Sequence, residues 1–241
     1  MAGMKQQRIH KLTHPCCFRY IKGMKMMGQN YQIEMEQIIK NLHGEKKKLF
    51  LHSCCAPCSS YVLEYLRKYF EITVFYYNPN ISEQEEYQRR VKEQKRLICK
   101  MNESDPEHNL INIYEGNFEP EVYFDEIKGF EKEPEGGKRC QICFWLRLNE
   151  TARVAASEDF DYFSTTLTIS PLKNAETLNM IGQEMAEKWK VAFLPSDFKK
   201  KNGYKRSIEL SKEHDLYRQD YCGCIFSKIE RTKQMSEGGN N

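Results

Sequence analysis

The sequence contains no apolar segment long enough to cross a membrane. Its mean hydropathy is −0.74, and no stretch approaches the roughly 20 apolar residues that a bilayer-spanning helix needs. Residues 1–30 also lack the apolar core and small-residue cleavage site of a secretory signal. We therefore expect a cytoplasmic protein that has no membrane partner.

A large net charge of either sign is also missing. The chain carries 37 Lys and Arg against 34 Asp and Glu, a net charge of +3, which by itself does not indicate a nucleic-acid partner. The basic surplus lies towards the two ends. Towards the C-terminal end, a basic cluster has Phe198 and Tyr204 interleaved with its charged residues. This cluster can either bind phosphates and stack a base or be a solvated loop. Its basic members are Lys199, Lys200, Lys201, Lys205 and Arg206.

Internal repeats and low-complexity blocks are absent, and the regular part of the chain alternates strands with helices. We expect strands over 48–52, 72–77, 110–114, 161–167 and 191–194. We expect a helix from about residue 31 to Gly44 and a second one after the turn Ser53–Cys58. A third helix should run from Ser82 to about Lys100, with Ser82 and Glu85 as its capping pair. Further helices are expected over 119–127, 139–156 and 171–189. This alternation predicts an α/β fold with a parallel sheet covered by helices on both faces, plus a helical C-terminal part. The domains we predict are an extension over 1–45 with a lead-in helix, a single catalytic domain over 46–233 and a disordered tail over 234–241.

The ten cysteines are too dilute in a chain of 241 residues without an export signal to indicate a disulfide scaffold. Metal or redox chemistry is the better interpretation, because most of them stand in three groups. The groups are Cys54-Cys55 with Cys58, Cys140 with Cys143, and Cys222-Gly223-Cys224.

Each group allows more than one chemistry. Cys54, Cys55 and Cys58 lie where a strand turns into a helix, so the helix dipole favours thiolates that can bind iron or zinc. A C-x-x-C pair such as Cys140 and Cys143 can belong to a zinc site, a redox dithiol or an iron–sulfur cluster. Together with Cys54 and Cys55 it supplies four thiolates, and an adjacent Cys-Cys pair suits a cluster better than a zinc knuckle.

The third group can form a strained, easily reduced disulfide, because Gly223 permits unusual backbone angles, or it can ligate metal. His52 can serve as an acid or as a structural group. Polar residues follow the second and fourth strands, at 78–80 and 165–170, and can hold a polar ligand or only form turns. We assign no site role to Cys16, Cys17 and Cys99, which lack partners at ligand spacing.

Taken together, several ordered motifs resemble the QueH family of epoxyqueuosine reductases over about residues 46–230. The motifs are Leu51-His52-Ser53-Cys54-Cys55-Ala56-Pro57-Cys58, Tyr76-Tyr77-Asn78-Pro79-Asn80-Ile81, Glu86-Tyr87-x-x-Arg90, Arg139-Cys140-x-x-Cys143, Thr165-Thr166-Leu167-Thr168-Ile169-Ser170-Pro171 and Tyr221-Cys222-Gly223-Cys224.

The resemblance implies a Rossmann-like fold related to PP-loop (HUP) proteins. It also implies an oxidoreductase that deoxygenates epoxyqueuosine to queuosine at the tRNA wobble position, the final step of queuosine biosynthesis. By the family pattern, Cys54, Cys55, Cys140 and Cys143 would bind a 4Fe-4S cluster, and Cys222 and Cys224 would form a redox-active disulfide. An additional mononuclear iron, with Cys58 as a candidate ligand, and an unidentified electron donor complete the implied set.

Two other functions fit parts of the sequence. A zinc-stabilised RNA-binding module would use the cysteines without catalysis. A PP-loop tRNA sulfurtransferase would share the fold, but its Ser-Gly-Gly-x-Asp-Ser loop after the first strand is absent, and Ser53–Cys58 stands in its place.

Overall fold

The structure, a computed structural model, describes residues 29–238, with the backbone alone for 237 and 238. Cys16, Cys17 and most of the predicted extension over 1–45 therefore lie outside the described residues. Asn30 caps the lead-in helix, because its side chain accepts a hydrogen bond from the Ile33 N–H.

Five parallel strands form one sheet in the order β3-β2-β1-β4-β5. They are β1 (Lys47–His52), β2 (Phe70–Tyr76), β3 (Asn112–Glu115), β4 (Tyr162–Thr165) and β5 (Ala192–Phe193). The strand that comes first in the chain is central and pairs with both β2 and β4. The predicted Rossmann-like α/β class is confirmed.

Helices connect and cover these strands. They are α1 (Tyr31–Asn41), α2 (Ala56–Leu66), α3 (Gln84–Ser104), α4 (Pro120–Glu126), α5 (Lys138–Ser157), α6 (Ala175–Trp189), α7 (Gly203–Glu213) and α8 (Ile225–Gly238). The last helix reaches Gly238, so part of the tail predicted over 234–241 is helical, and 239–241 lie outside the described residues. None of the described helices is both long and apolar enough to cross a bilayer.

Alternate residues of the central strand feed two cores, as the period of two in a strand requires. Leu49 and Leu51 pack on one face with apolar residues of α1, α2 and α3. Phe50 packs on the other face with residues of α5 and α6. The sheet is thus buried on both sides, which leaves its strand ends and their loops to carry the functional side chains.

Two predicted helix starts are wrong. The long third helix begins at Gln84 with Glu83 as its N-cap, and no side chain caps it, so the expected Ser82 cap does not form. Pro171 does not open α6. Residues Thr166–Ile169 form a 3-10 turn after β4, and α6 begins after Asn174, whose side chain accepts from the Thr177 N–H at 2.9 Å.

Candidate metal and redox site

The site lies beyond the carboxyl ends of β1 and β4. These are the neighbouring strands at which the order of the sheet reverses, the usual ligand position in open α/β sheets. Cys54 and Cys55 follow β1, and Cys54 Sγ lies 4.0 Å from Thr166 Oγ1, directly after β4. The first cysteine group therefore occupies the position where such folds place their ligands.

Buried side chains from neighbouring elements fix the turn between β1 and α2. Asn78 Nδ2 donates to the carbonyl of Ser53 at 2.8 Å. The hydroxyls of Ser53 and Ser59 both donate to Gln94 Oε1, at 2.8 and 2.9 Å. The N-cap of α2 is Cys55, which has an extended backbone and makes no side-chain cap. The turn is thus held by residues of other segments, and its cysteine side chains are not needed as caps.

The sulfurs of Cys54, Cys55 and Cys58 form a three-thiol cluster, in which all three lie within 4.8 Å of one another. The Cys54 and Cys55 sulfurs are 3.8 Å apart, and these two residues are only 7% and 1% exposed. Soft thiolate ligands select iron–sulfur clusters, zinc or Cu(I) over hard cations. The three-thiol cluster can therefore bind a thiophilic metal.

The close packing of these thiols separates their pKa values. Hydrogen bonds with Cys55 and Cys58 hold the pKa of Cys54 well below its usual range. The hydrogen bond with Cys54 raises the pKa of Cys55 to about 12, and the same interaction raises that of Cys58. One thiolate is favoured and a second is opposed, so a metal that binds all three must displace the remaining protons.

Cys140 and Cys143 lie at the beginning of α5, within its first two turns. The Gly136 N–H donates to Cys140 Sγ at 3.2 Å. Burial raises the pKa of both thiols, and that of Cys143 reaches about 11. Neither sulfur is close enough to the three-thiol cluster to belong to it. The fold brings the pair to the same edge of the sheet as β1 and Cys54, because α5 begins at this edge.

Arg147, one turn after Cys143, is the charged group that these cysteines share. It is 3% exposed, it donates from Nε to the Cys143 carbonyl at 3.2 Å, and no ion pair among the described residues includes it. Burial lowers its pKa, but the charges of Cys143, Cys54, Cys222 and Cys140 raise it, and the net shift is upward. Arg147 thus compensates negative charge that the thiols carry.

The Cys222-Gly223-Cys224 turn is clamped from α3 and from the loop after β2. Arg90 Nη1 donates to the Cys222 carbonyl at 3.2 Å, and Asn80 Nδ2 donates to the same oxygen at 3.3 Å. Arg90 is itself held by Glu86, with Nε 2.6 Å from Oε1. Gly223 has φ +108°, a conformation that side chains strongly disfavour. The motif residues Arg90 and Asn80 therefore position the third cysteine group.

The two sulfurs of this group lie 3.6 Å apart and share a hydrogen bond. That bond and the positive charge of Lys173 hold the pKa of Cys222 well below its usual range, although burial opposes the shift, while the pKa of Cys224 is raised. Cys222 is thus the more reactive thiol of the pair, because the thiolate is the nucleophile.

A cavity of about 310 Å³ lies between the first and third cysteine groups. Cys54, Cys58 and Cys222 line it together with Arg147, Lys173 and Glu135. Burial lowers the pKa of Lys173, but the charges of Cys54, Cys58 and Cys222 raise it, and the net shift is upward. Burial raises the pKa of Glu135, and the charge of Cys222 adds to this shift.

The residues at this cavity fit an anionic metal–sulfur group. Arg147 and Lys173 are cations without a carboxylate partner among the ion pairs of the described residues. A sheltered cation without a counter-ion is costly, and thiolates or a thiolate-bound metal group would supply the missing negative charge. Both the sulfur donors and the positive charge around them therefore suit an anionic metal–sulfur group.

His52 is a structural residue in this arrangement. Its Nε2 lies 3.1 Å from the Tyr77 carbonyl, which can only accept, so the ring donates there and accepts at Nδ1 from Thr165 Oγ1 at 3.0 Å. Burial lowers its pKa to about 3. Both ring nitrogens are used and the ring is neutral, which leaves His52 unable to act as an acid. Cys99 is exposed and bonds to Glu103 on its own helix.

The basic cluster is largely paired with acids. Lys199 lies 2.9 Å from Asp197, Lys201 contacts Glu36, and Arg206 contacts Glu64, Glu209 and Glu213. Phe198 is buried and cannot stack a base. Lys200 and Lys205 have no ion pair among the described residues, and Tyr204 lines the cavity. RNA binding by this cluster stays a prediction.

Sequence reasoning missed Lys173 and Glu135 as members of the site. Lys173 follows the quoted motif after β4, so the rule that strand ends carry ligand contacts points to that loop without selecting the residue. Glu135 lies in the Gly-rich loop before α5, and nothing in the local pattern distinguishes it from Glu131 and Glu133. Only the packing of α5 and α8 brings it to Cys222.

Comparison with known proteins shows the family to which the chain is similar. Residues 49–230 match the family model described as "Epoxyqueuosine reductase QueH". Curated relatives of that name are similar over most of the chain. The relative from Streptococcus pyogenes serotype M1 is 42% identical over 200 residues, which cover 82% of this chain and 78% of the relative. The relative from Staphylococcus epidermidis is 40% identical over 212 residues (86% and 88%), and that from Thermotoga maritima is 34% identical over 192 residues (78% and 94%).

Proposed function

This chain belongs to the QueH family of epoxyqueuosine reductases, and from that premise we propose that it reduces epoxyqueuosine to queuosine at the wobble position of tRNA. It is an oxidoreductase, as its relatives are named. The observation that carries the proposal is the position of two sulfur sites at one cavity. A three-thiol cluster able to bind metal lies there beside the Cys222–Cys224 pair, whose sulfurs are 3.6 Å apart.

The reaction removes one oxygen atom and balances with two electrons and two protons. Both C–O bonds of the epoxide break, a C=C bond forms, and the oxygen leaves as water. Oxidation of two thiols to a disulfide releases two electrons and two protons, so one turnover of the Cys222–Cys224 pair satisfies the equation. An electron donor of the cell would then reduce the disulfide for the next cycle.

Several contacts support the assignment of Cys222 and Cys224 as this redox pair. The two sulfurs lie 3.6 Å apart, so the approach needed to reach a disulfide bond length of about 2.05 Å is roughly 1.5 Å. The lowered pKa of Cys222 favours the thiolate that begins such chemistry. Asn80 and Arg90 fix the turn at its carbonyls and leave the sulfurs uncovered by those bonds.

The metal group would be held by Cys54, Cys55, Cys140 and Cys143 as a 4Fe-4S cluster, with Cys58 available for an additional iron. Bound there, a cluster would supply electrons one at a time, and an iron with an open position would polarise the departing oxygen as a Lewis acid. Arg147 compensates the negative charge of the thiolates, and Lys173 and Glu135 are two of the groups at the cavity that can hold a proton.

The substrate base can be presented to the cavity because an anticodon loop is single-stranded. Its bases can be splayed out and inserted without melting a duplex. Lys200 and Lys205, the two members of the basic cluster without an ion pair among the described residues, would bind the backbone, while Lys199, Lys201 and Arg206 would first have to leave their acidic partners.

The test is an anaerobic reaction with the full chain. Purified protein is assayed for iron and sulfide and then incubated with dithionite and tRNA that carries epoxyqueuosine. The tRNA is digested, and the masses of its nucleosides are measured by mass spectrometry. We expect loss of one oxygen with the wild type and with Cys99→Ser, an exposed thiol away from the cavity, and no loss with Cys222→Ser. A colourless, zinc-containing protein that leaves the oxygen in place would instead support an RNA-binding module.

A further inference from the structure

The opening of the cavity carries three exposed side chains from three different segments. Leu172, before α6, is 73% exposed, and Tyr204, in the first turn of α7, is 38% exposed. Arg218, in the segment before Cys222, is also exposed. All three line the cavity, whereas Cys54 and Arg147 in the same lining are buried. The exposed members therefore mark its entrance, which we call the cavity mouth.

The cavity mouth combines apolar surface with unpaired positive charge. Arg218 makes one side-chain hydrogen bond among the described residues, from Nη1 to Ser211 Oγ at 3.1 Å, and no ion pair. Lys173, next to Leu172, also lacks a carboxylate partner among those residues. Of the four Arg and Lys residues in the cavity lining, Arg90 is paired with Glu86, and the lining also contains the carboxyls of Glu135 and Asp220. Arg218 is therefore the exposed cation at this entrance that can bind an anionic group.

A single exposed leucine or tyrosine has no special meaning on a protein surface. Here the two stand at the same entrance, with cations beside them and reactive sulfurs inside. A nucleotide from a single-stranded RNA loop has the complementary chemistry, because its base presents flat apolar faces and its phosphate is anionic. A duplex would keep its bases stacked inside the helix and out of the cavity.

We propose that Leu172 and Tyr204 flank the splayed-out base of the tRNA anticodon loop as it enters the cavity, and that Arg218 binds an adjacent phosphate. The inference rests on the proposed function and names the contacts of that same site. It places the main RNA contact at the cavity mouth rather than on the basic side chains before and within the first turn of α7, where three of five cations are already paired with acids.

The experiment measures binding of fluorescently labelled tRNA carrying epoxyqueuosine, together with KM and kcat, for Leu172→Ala, Tyr204→Ala and Tyr204→Phe. Base–aromatic stacking predicts a dissociation constant raised roughly five- to 150-fold for Tyr204→Ala. Leu172→Ala should raise it less, and Tyr204→Phe should bind like the wild type because the ring remains. Iron content and the thermal unfolding temperature should stay unchanged in all three.

Matched controls exist at the opposite edge of the sheet. Leu110 precedes β3 and is 64% exposed, and Tyr69 precedes β2 and is 36% exposed. Leu110→Ala and Tyr69→Ala remove the same side chains from similarly exposed positions and should leave tRNA binding unchanged. Equal weakening by the controls, or unchanged binding in Leu172→Ala and Tyr204→Ala, overturns the inference.

Salt dependence tests Arg218 separately. If it binds one phosphate, Arg218→Gln should reduce the slope of log Kd against log salt by about 0.7, the value for a single strand. Arg153→Gln, which removes an exposed guanidinium of α5 outside the cavity lining, should not change the slope. An unchanged slope in Arg218→Gln overturns the phosphate contact.

The outcomes separate this inference from the proposed function. A wild type that neither binds nor reduces the tRNA defeats the proposed function. A wild type that does both, with mouth variants that do the same, defeats only the inference. Variants that bind tRNA normally but lose turnover with a protein electron donor, and not with dithionite, would assign the cavity mouth to that donor and also overturn the inference.

Discussion

Replacing Gly223 with alanine should destabilise the protein through two separable effects. The first is conformational, because φ +108° at this position is strongly disfavoured for any residue with a Cβ, at a cost of about 1–3 kcal/mol. The second is steric. An added Cβ would lie 2.8 Å from Ile81 Cγ1 and 3.1 Å from Arg90 Nη1, and both neighbours are buried and held in place.

Crowding of this kind typically costs about 1–3 kcal/mol. The two effects together give about 2–6 kcal/mol in the free energy of unfolding, with the lower part of the range favoured because the turn can shift. For a chain of this size each kcal/mol lowers the unfolding temperature by roughly 2–4 °C. The assay is thermal unfolding, accompanied by the rate at which the Cys222–Cys224 disulfide forms.

Gly129→Ala isolates the conformational effect. Gly129 has φ +87°, but an added Cβ there would meet no atom within 4 Å, so only the backbone cost of about 1–3 kcal/mol applies. Gly223→Ala should therefore unfold roughly 2–12 °C below Gly129→Ala, from the steric part alone. In an Ile81→Ala background the extra cost should shrink, because the atom in contact is gone. Equal unfolding temperatures for the two glycine variants would refute the steric reasoning.

Three further predictions concern the charges and sulfurs of the site. Arg90→Gln removes the buried cation that pairs with Glu86 and one of the two donors to the Cys222 carbonyl, and it should cost about 3–5 kcal/mol in chemical denaturation. Arg206→Gln, at partly exposed ion pairs, should cost about 0–1 kcal/mol. Binding of Co²⁺ should weaken as pH falls, by about tenfold per pH unit for each proton displaced, because thiols such as Cys143, with a pKa raised to about 11, must lose their protons. The measurement follows the sulfur-to-cobalt charge-transfer absorption. An affinity independent of pH would contradict this assignment of protons. Cys140→Ala should lose iron and visible absorbance together with activity, while Cys222→Ala should keep its colour and lose turnover, and equal loss of colour would make Cys222 a metal ligand.

Much of the fold could be predicted because its signals are local. The run Lys48–His52 between polar segments predicts a buried strand, and the structure extends it by one residue, to Lys47. The start of α6 could not be fixed in this way. Pro171 suits a first helical turn, but residues Thr166–Ile169 satisfy their own hydrogen bonds as a 3-10 turn and move the start beyond Asn174.

The geometry around the candidate site followed only partly from the sequence. Cys54 and Cys55 stand at a strand end, so their place at the ligand edge follows from the parallel sheet. The roles of the polar residues after β2 did not follow. Asn78 and Asn80 can serve a ligand or a turn by sequence, and the structure uses them to hold the carbonyls of Ser53 and Cys222.

The sequence alone determined the parallel α/β class, the grouping of the cysteines and the family, because strand and helix periodicity and ordered motifs are properties of neighbouring residues. Tertiary structure alone decided which charges meet the sulfurs. It paired Lys201 and Arg206 with acidic residues that are distant in the chain and placed Arg147 and Lys173 beside the thiols. It also buried His52, whose neutral ring bonds to the Tyr77 carbonyl. The physical reason is that electrostatic and hydrogen-bond partners are set by distance in space, and residues that lie far apart in the chain become neighbours only when the helices pack on the sheet.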